Sequence, residues 1–179
     1  MKKKLLAFVM AATMVFSLAA CGSSSSNDSS SSSDSSDSDS AQSGDEVQTF
    51  KLGSIGPLTG DAAIYGQAVV NGAQLAVDEI NASDSKIKFD FQGEDDEADG
   101  EKSVNAYNTL MDWGMQVLAG PVTTTPTLAV AAESVNDNMF VLTPSASAQT
   151  VIETGDNVFQ ICFTDPNQGV ASADYIAEN

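Results

Sequence analysis

Apolar residues change their spacing repeatedly along residues 50–177, and each change marks an element. Residues 50–55 form a short apolar run that stops at Gly56-Pro57, which predicts a strand. Over 66–81, Val69, Ala73, Ala76 or Val77, and Ile80 recur at helical spacing, with Asn81 suited to the helix end. Ile87, Phe89 and Phe91 alternate with polar neighbours, as in a half-buried strand. Residues 101–113 place Val104, Tyr107, Leu110 and Met111 on one helical face, and Gly114 fits the left-handed position after it. A short strand follows at 115–119. A helix over 126–136 has Leu128, Ala131, Ala132 and Val135 inward, with Thr125 as N-cap and Pro126 as the first helical residue. Strands at 139–142 and 158–163 and a helix over 168–177 complete the pattern. Strands separated by helices of this length imply βαβ units, hence an α/β fold on a parallel sheet. Ligands of such sheets gather at the carboxyl ends of the strands. Three loops rich in small and hydroxyl residues lie there, at 56–65, 120–125 and 143–147.

Upstream the pattern is different. Lys2, Lys3 and Lys4 precede an apolar run at 5–16 that is short for a bilayer span. Leu18-Ala19-Ala20-Cys21-Gly22 resembles the lipobox of bacterial lipoproteins, which implies a signal peptide over 1–20, cleavage before Cys21, and lipid on its thiol. The alternative is an ordinary secretory signal with an incidental cysteine. Residues 23–40 are almost entirely serine and aspartate, with no apolar residue to offset the entropy of ordering. Residues 21–46 therefore read as the lipidated cysteine and a disordered tether. The localisation expected is the extracytoplasmic face of the cell membrane, held by lipid.

Charge narrows the function. The 179-residue chain carries a net charge of -18, with no histidine among its residues and all of its few cations lysine. Nucleic-acid binding needs a basic patch and is excluded. Catalysis by histidine or an arginine clamp is excluded as well. With Cys21 committed to lipid, Cys162 stands alone in an apolar context, read as a buried small hydrophobe.

The loops carry the remaining chemistry. In Gly120-Pro-Val-Thr-Thr-Thr-Pro-Thr127 a strand gives way to a helix whose N-terminus and hydroxyls suit a carboxylate; simple capping explains it equally. Thr143-Pro-Ser-Ala-Ser147 allows close approach to backbone, and is also an ordinary turn. Tyr65, in the first loop, can wall a pocket or merely half-bury.

Taken together, GPLTGDAAIYGQAVVNGAQLAVDEIN, DDEAD, VLAGPVTTTPTLAVA, FVLTPSASA and FTDPNQGVASADYIAE resemble the branched-chain amino acid (leucine/isoleucine/valine-binding) family of bacterial ABC-transporter solute-binding lipoproteins, from about residue 50 through 177. The resemblance implies a type I periplasmic-binding fold, no enzymatic activity and no cofactor. The partners it implies are a small amino acid and ABC permease subunits. It places Tyr65 against the ligand, Thr123 and the neighbouring Thr124 on the carboxylate, Ser145 on the ammonium through its carbonyl, and Ser147 on the ligand through backbone and side chain. The resemblance also implies that some relatives bear a disulfide at the positions where this chain has Ala98 and Val122.

Family members are longer and have two lobes. Residues 47–164 correspond to an incomplete first lobe and 165–179 to the crossover and first helix of the second, so the chain is expected to be truncated. On that expectation this chain binds amino acid weakly or not at all; calorimetry showing micromolar leucine binding would refute it. Rival readings are a sensory domain on the same fold and binding of short amides or urea. An α/β enzyme is disfavoured because no nucleophile–base pair is present. Asp96-Glu97-Ala98-Asp99 spells a helicase tetrad without any phosphate loop, and 95–100 echoes a calcium loop whose bidentate position holds Ala106.

Overall fold

The computed structural model describes residues 46–179. The signal segment 1–20, Cys21 and the tether up to its last residue lie outside the described residues.

The elements alternate as β1 (Gln48–Gly56), α1 (Ala63–Ala82), β2 (Ile87–Asp95), α2 (Gly100–Trp113), β3 (Val117–Ala119), α3 (Thr124–Asp137), β4 (Phe140–Thr143), a 3-10 turn (Gln149–Glu153), β5 (Val158–Gln160) and α4 (Asp165–Glu178). The strands form one sheet in the order β2-β1-β3-β4-β5, and every pairing is parallel. The α/β class and parallel sheet expected from the alternation are what the chain adopts.

Register decides which residues share a face. Gly53 stands level with Leu118, and Leu118 with Val141 and Val158. A Cβ at Gly53 would lie 2.2 Å from Met115 Sδ and 2.9 Å from Leu110, so this face meets α2. Ile55, Leu118 and Val141 pack there with Tyr107, Leu110, Val130, Ala131 and Val151 in one buried cluster. Ser54 and Gly93 point the other way, where a Cβ at Gly93 would lie 2.9 Å from Val70 of α1. The chain therefore crosses over on opposite faces as it moves outward in opposite directions from β1, as right-handed connections require. On α1's side of the sheet, Phe140 and Phe159 stack at 5.0 Å between centroids and stay 42% and 46% exposed.

Helix ends follow local chemistry. Asp99 caps α2 by accepting from Lys102 N at 3.0 Å, and Gly114 closes it at φ 91. Asn138 closes α3 in the same left-handed way, at φ 50. Tyr107 is buried and donates its hydroxyl to Asp137 at 2.9 Å. Burial, then this carboxylate, push its phenol well above the ordinary value. Tyr107→Phe is expected to lower stability by about 1 kcal/mol, read from urea unfolding, because one hydrogen bond is lost and no cavity forms.

Three expectations need correction. The α3 helix starts at Thr124 with Thr123 as N-cap, so Thr125 is not the cap and Pro126 is the third helical residue. Proline is tolerated there because N–H groups of a first turn have no acceptor inside the helix. Of the α3 residues expected inward, Ala131 is buried and Leu128 packs half-buried on the core, but Ala132 and Val135 are exposed, and Thr127, Val130 and Ser134 take the remaining inward places. Thr127 donates to Thr123 O at 2.8 Å and Ser134 to Ala131 O at 2.9 Å, and hydroxyls satisfied this way bury at little cost. Finally, β5 stops at Gln160, leaving Ile161 68% exposed and Cys162 only half-buried, its thiol 3.4 Å from Ala146 O.

Candidate functional site

The ends of β1, β3 and β4 are adjacent because those strands are adjacent, and side-chain-free positions let their loops interlock. At Gly120 (φ +131) the β3–α3 loop passes over β1: an added Cβ would lie 2.4 Å from Ile55 O. Gly120 N also donates to Leu142 O at 2.9 Å. Thr143 Oγ1, at the end of β4, donates to Pro121 O at 2.6 Å and accepts from Ala146 N at 3.2 Å. One buried hydroxyl thus joins the second loop to the third. The first loop joins through glycines. A Cβ at Gly56 would lie 2.7 Å from Val122, and one at Gly66 would lie 2.0 Å from Pro57 O. The first turn of α1 therefore rests backbone to backbone on the end of β1.

Each residue named from the resemblance sits on this interlocked cluster. Tyr65 lies in the first turn of α1 rather than in the loop, and is 60% exposed. Thr123 is the N-cap of α3, yet its side chain makes no capping bond. Its Oγ1 is buried and has no hydrogen-bond partner within the described residues. Thr124 is the first residue of α3 and half-buried. Ser145 is exposed and Ser147 half-buried in the loop after β4. Ser147 O accepts from Asp165 N at 2.9 Å, and Ala146 O accepts from the Gln160 side chain. The third loop is thereby fastened to β5 and to the start of α4.

The chemistry on offer is that of hydrogen bonding. The N–H groups of Thr124 and Thr125 lead α3 and have no acceptor within it, and the helix dipole makes that end favourable to an anion. A buried hydroxyl without a partner costs roughly 1–3 kcal/mol, so Thr123 Oγ1 favours any ligand that supplies one.

Sequence reasoning missed Asp95. It is the last residue of β2, level with Gly56, and its carboxylate accepts from Leu58 N at 2.7 Å, Thr59 N at 3.4 Å, Thr59 Oγ1 at 2.6 Å and Glu97 N at 2.9 Å. Burial acts to raise its pKa, but these hydrogen bonds prevail and the net shift is downward. The neighbouring Asp96 is fully buried, accepting from Ala98 N at 2.9 Å and from Ser103 Oγ at 3.3 Å. Burial, helped by the charge of Asp95, raises its pKa. Both carboxylates are engaged by N–H and O–H donors, and no acidic cluster able to hold a metal occurs among the described residues, which speaks against the calcium reading. The only hint in the sequence was an acidic pair directly after a strand.

The two aspartates act oppositely on stability. Asp95 contributes stability above the ordinary aspartate pKa and loses it as pH falls through its own lowered value. Asp96 favours the folded state while protonated, so its contribution declines as pH rises from about 3.8 through its raised value. Asp96→Asn is expected to lose that decline, seen as a flatter stability profile in urea unfolding between pH 4 and pH 7.

An open groove of about 700 Å³ runs along α4, lined by Phe163, Gln168, Ala171, Tyr175 and Ile176 among others. Tyr65, Thr123, Thr124, Ser145 and Ser147 do not border it. The loop cluster is the better candidate, because it sits at the carboxyl edge of the sheet and contains the unpartnered hydroxyl.

Comparison with known proteins agrees with the fold. Residues 49–179 match the family model described as periplasmic binding protein. The chain is 34% identical over 131 residues to the Leu/Ile/Val-binding protein BraC3 of Rhizobium johnstonii, covering 72% of this chain and 36% of that protein. It is 28% identical over 133 residues to the leucine-, isoleucine-, valine-, threonine- and alanine-binding protein of Pseudomonas aeruginosa, covering 73% and 36%. Among solved structures it is similar to the branched-chain amino acid transporter substrate binding protein LivJ of Streptococcus pneumoniae in complex with isoleucine. The TM-score is 0.62 at 28% identity, over 66% of this chain and 35% of that one. The chain thus spans about 36% of the length of the curated relatives it matches.

Proposed function

The chain belongs to the periplasmic binding protein family, and on that premise we propose that it is the solute-binding component of an ABC importer for branched-chain or related neutral amino acids. The α-carboxylate of the amino acid lies at the N-terminus of α3, taking hydrogen bonds from Thr123, Thr124 and main-chain N–H groups. Ser145 and Ser147 receive the ammonium and the remaining carboxylate oxygen, and Tyr65 lines one wall. The observation that carries this reading is the buried, unpartnered hydroxyl of Thr123 beside free N–H groups at the carboxyl edge of the sheet. Two relatives with names that specify leucine, isoleucine and valine support the choice of ligand. Binding here makes and breaks no covalent bond.

The lipobox at Cys21 and the serine-aspartate tether extend the proposal to the cell surface. The domain is held at the extracytoplasmic face by lipid on Cys21 and delivers its ligand to permease subunits. Signal and lipid both predict a mass change, so intact-mass spectrometry of the membrane fraction tests them.

A thermal-shift screen of the full-length protein against the neutral amino acids, short amides and urea tests the ligand class, since a ligand that binds only the folded form raises the melting temperature. Leucine, isoleucine or valine is expected to give the largest shift. Shifts from amides or urea alone, or from nothing in the panel, would overturn the amino-acid reading.

A further inference from the structure

The start of α1 lacks the usual local supports. Its N-cap is Ala62, no side chain caps it, and its first turn holds no acidic residue. Support comes instead from outside the helix. The turn at 58–62 leads into α1 through Ala63 N to Gly60 O (3.2 Å) and Tyr65 N to Ala62 O (3.0 Å). Gln67 Nε2, in the second turn of α1, donates to Leu58 O at 2.8 Å. Leu58 and Thr59 in turn direct both main-chain N–H groups and one hydroxyl at a single carboxylate, that of Asp95. That carboxylate is fixed from its own side by Glu97 N, in a turn where Glu97 and Ala98 both adopt positive φ (49 and 58). Asp96 N donates to Gly56 O at 3.2 Å, so the ends of β1 and β2 are locked at the same point.

We propose that Asp95 is a positioning residue for the candidate site. From the end of β2 its carboxylate fixes the β1–α1 turn, and through that turn it sets the first turn of α1, where Tyr65 stands. Asp95 touches no ligand. It accepts from no N–H of α1 itself; it fixes the turn from which the helix starts. At α2 a local side chain, Asp99, caps the helix directly; at α1 the lead-in turn is held instead by a carboxylate 37 residues away in sequence. Beyond the clasp, Thr59, Gly60 and Asp61 of the turn are exposed.

The proposal rests on the amino-acid-binding reading only for its affinity arm. In the full-length protein, Asp95→Ala is expected to raise amide hydrogen exchange at Leu58 and Thr59 by about tenfold or more, as loss of a charge-assisted acceptor does. Amides of β3 and β4 are expected to exchange as before. Asp95→Asn keeps one acceptor oxygen and is expected to fall between. Thr59→Val removes one donor from an exposed position, leaves β2 intact, and is expected to raise exchange at Leu58 by a few-fold, on the order of the loss of one hydrogen bond. Affinity for isoleucine, measured by calorimetry, is expected to weaken about tenfold in Asp95→Ala, matching the opening of the turn. Unchanged exchange at 58–66 in both Asp95→Ala and Thr59→Val would overturn the proposal. So would loss of protection spread evenly over the sheet, the signature of a stability role alone. If the unsubstituted protein binds no amino acid, the functional reading fails while the exchange data still decide the role of Asp95.

Discussion

Gly120→Ala is expected to remove a large part of the stability of the folded state. The residue has φ +131, a region that L side chains occupy at a cost of about 1–3 kcal/mol. Its Cβ would also lie 2.4 Å from Ile55 O and 3.0 Å from Ile55 N. The obstacle is the backbone of β1, which is paired on both sides, and not the end of a flexible side chain. Relief requires moving the β3–α3 loop away from β1, which breaks Gly120 N to Leu142 O and strains the Thr143–Pro121 link. A combined loss above about 4 kcal/mol is expected, a large part of the 5–15 kcal/mol that typically stabilises a domain. Thermal unfolding followed by circular dichroism checks this; a variant melting within about 5 °C of the parent would contradict it. Gly72→Ala is the matched control. A Cβ there meets nothing within 4 Å, inside α1, so alanine is expected to stabilise by about 0.5–1 kcal/mol.

Thr123→Val is expected to move stability and affinity in opposite directions. The hydroxyl makes no capping bond and has no partner, so replacing it by a methyl removes a buried unsatisfied group. The unliganded protein should keep its melting temperature or gain up to about 1 kcal/mol. The ligand carboxylate would lose a hydrogen bond, and affinity for isoleucine in the full-length protein should fall about 10- to 100-fold, the range for hydrogen bonds to charged groups. Thr123→Ser should restore most of it. If Thr123→Val binds as the parent does, Thr123 is not a ligand contact; if it melts well below the parent, the hydroxyl has a structural partner.

What could be read in advance followed from how each residue type signals. The α2 helix is legible because Tyr107 and Leu110 mark its inward face and its ends carry Asp99 and Gly114, both with strong local preferences; only the buried Ser103 goes unsignalled. On α3 the apolar spacing finds Leu128 and Ala131 but not the edge of the face, because Thr127 and Ser134 turn inward as polar residues with carbonyl partners, which no count of apolar positions detects. Its start was misread because Thr125-Pro126 imitates a cap, while the true N-cap, Thr123, leaves its side chain unused. Tyr65, Thr123, Thr124, Ser145 and Ser147 came from resemblance, and no periodicity would have assembled them. Asp95 was overlooked because its partners Leu58 and Thr59 are distant in the chain, and an acidic pair after a strand is equally what a helix start looks like.

The bond from Asp165 N to Ser147 O has a mechanical consequence. None of the residues of α4 is buried; Thr164 caps its start by accepting from Asn167 N, and Asp165 N ties that end to Ser147 O. A helix of 14 residues is a rod some 21 Å long at roughly 1.5 Å per residue. Pivoted at Asp165, a tilt of roughly 5° carries its far end through roughly 2 Å, while the serine loop at the pivot shifts by a small fraction of that. By that geometry the third loop is placed as a fulcrum, where any slight change of angle beside Ser147 would be magnified at Glu178.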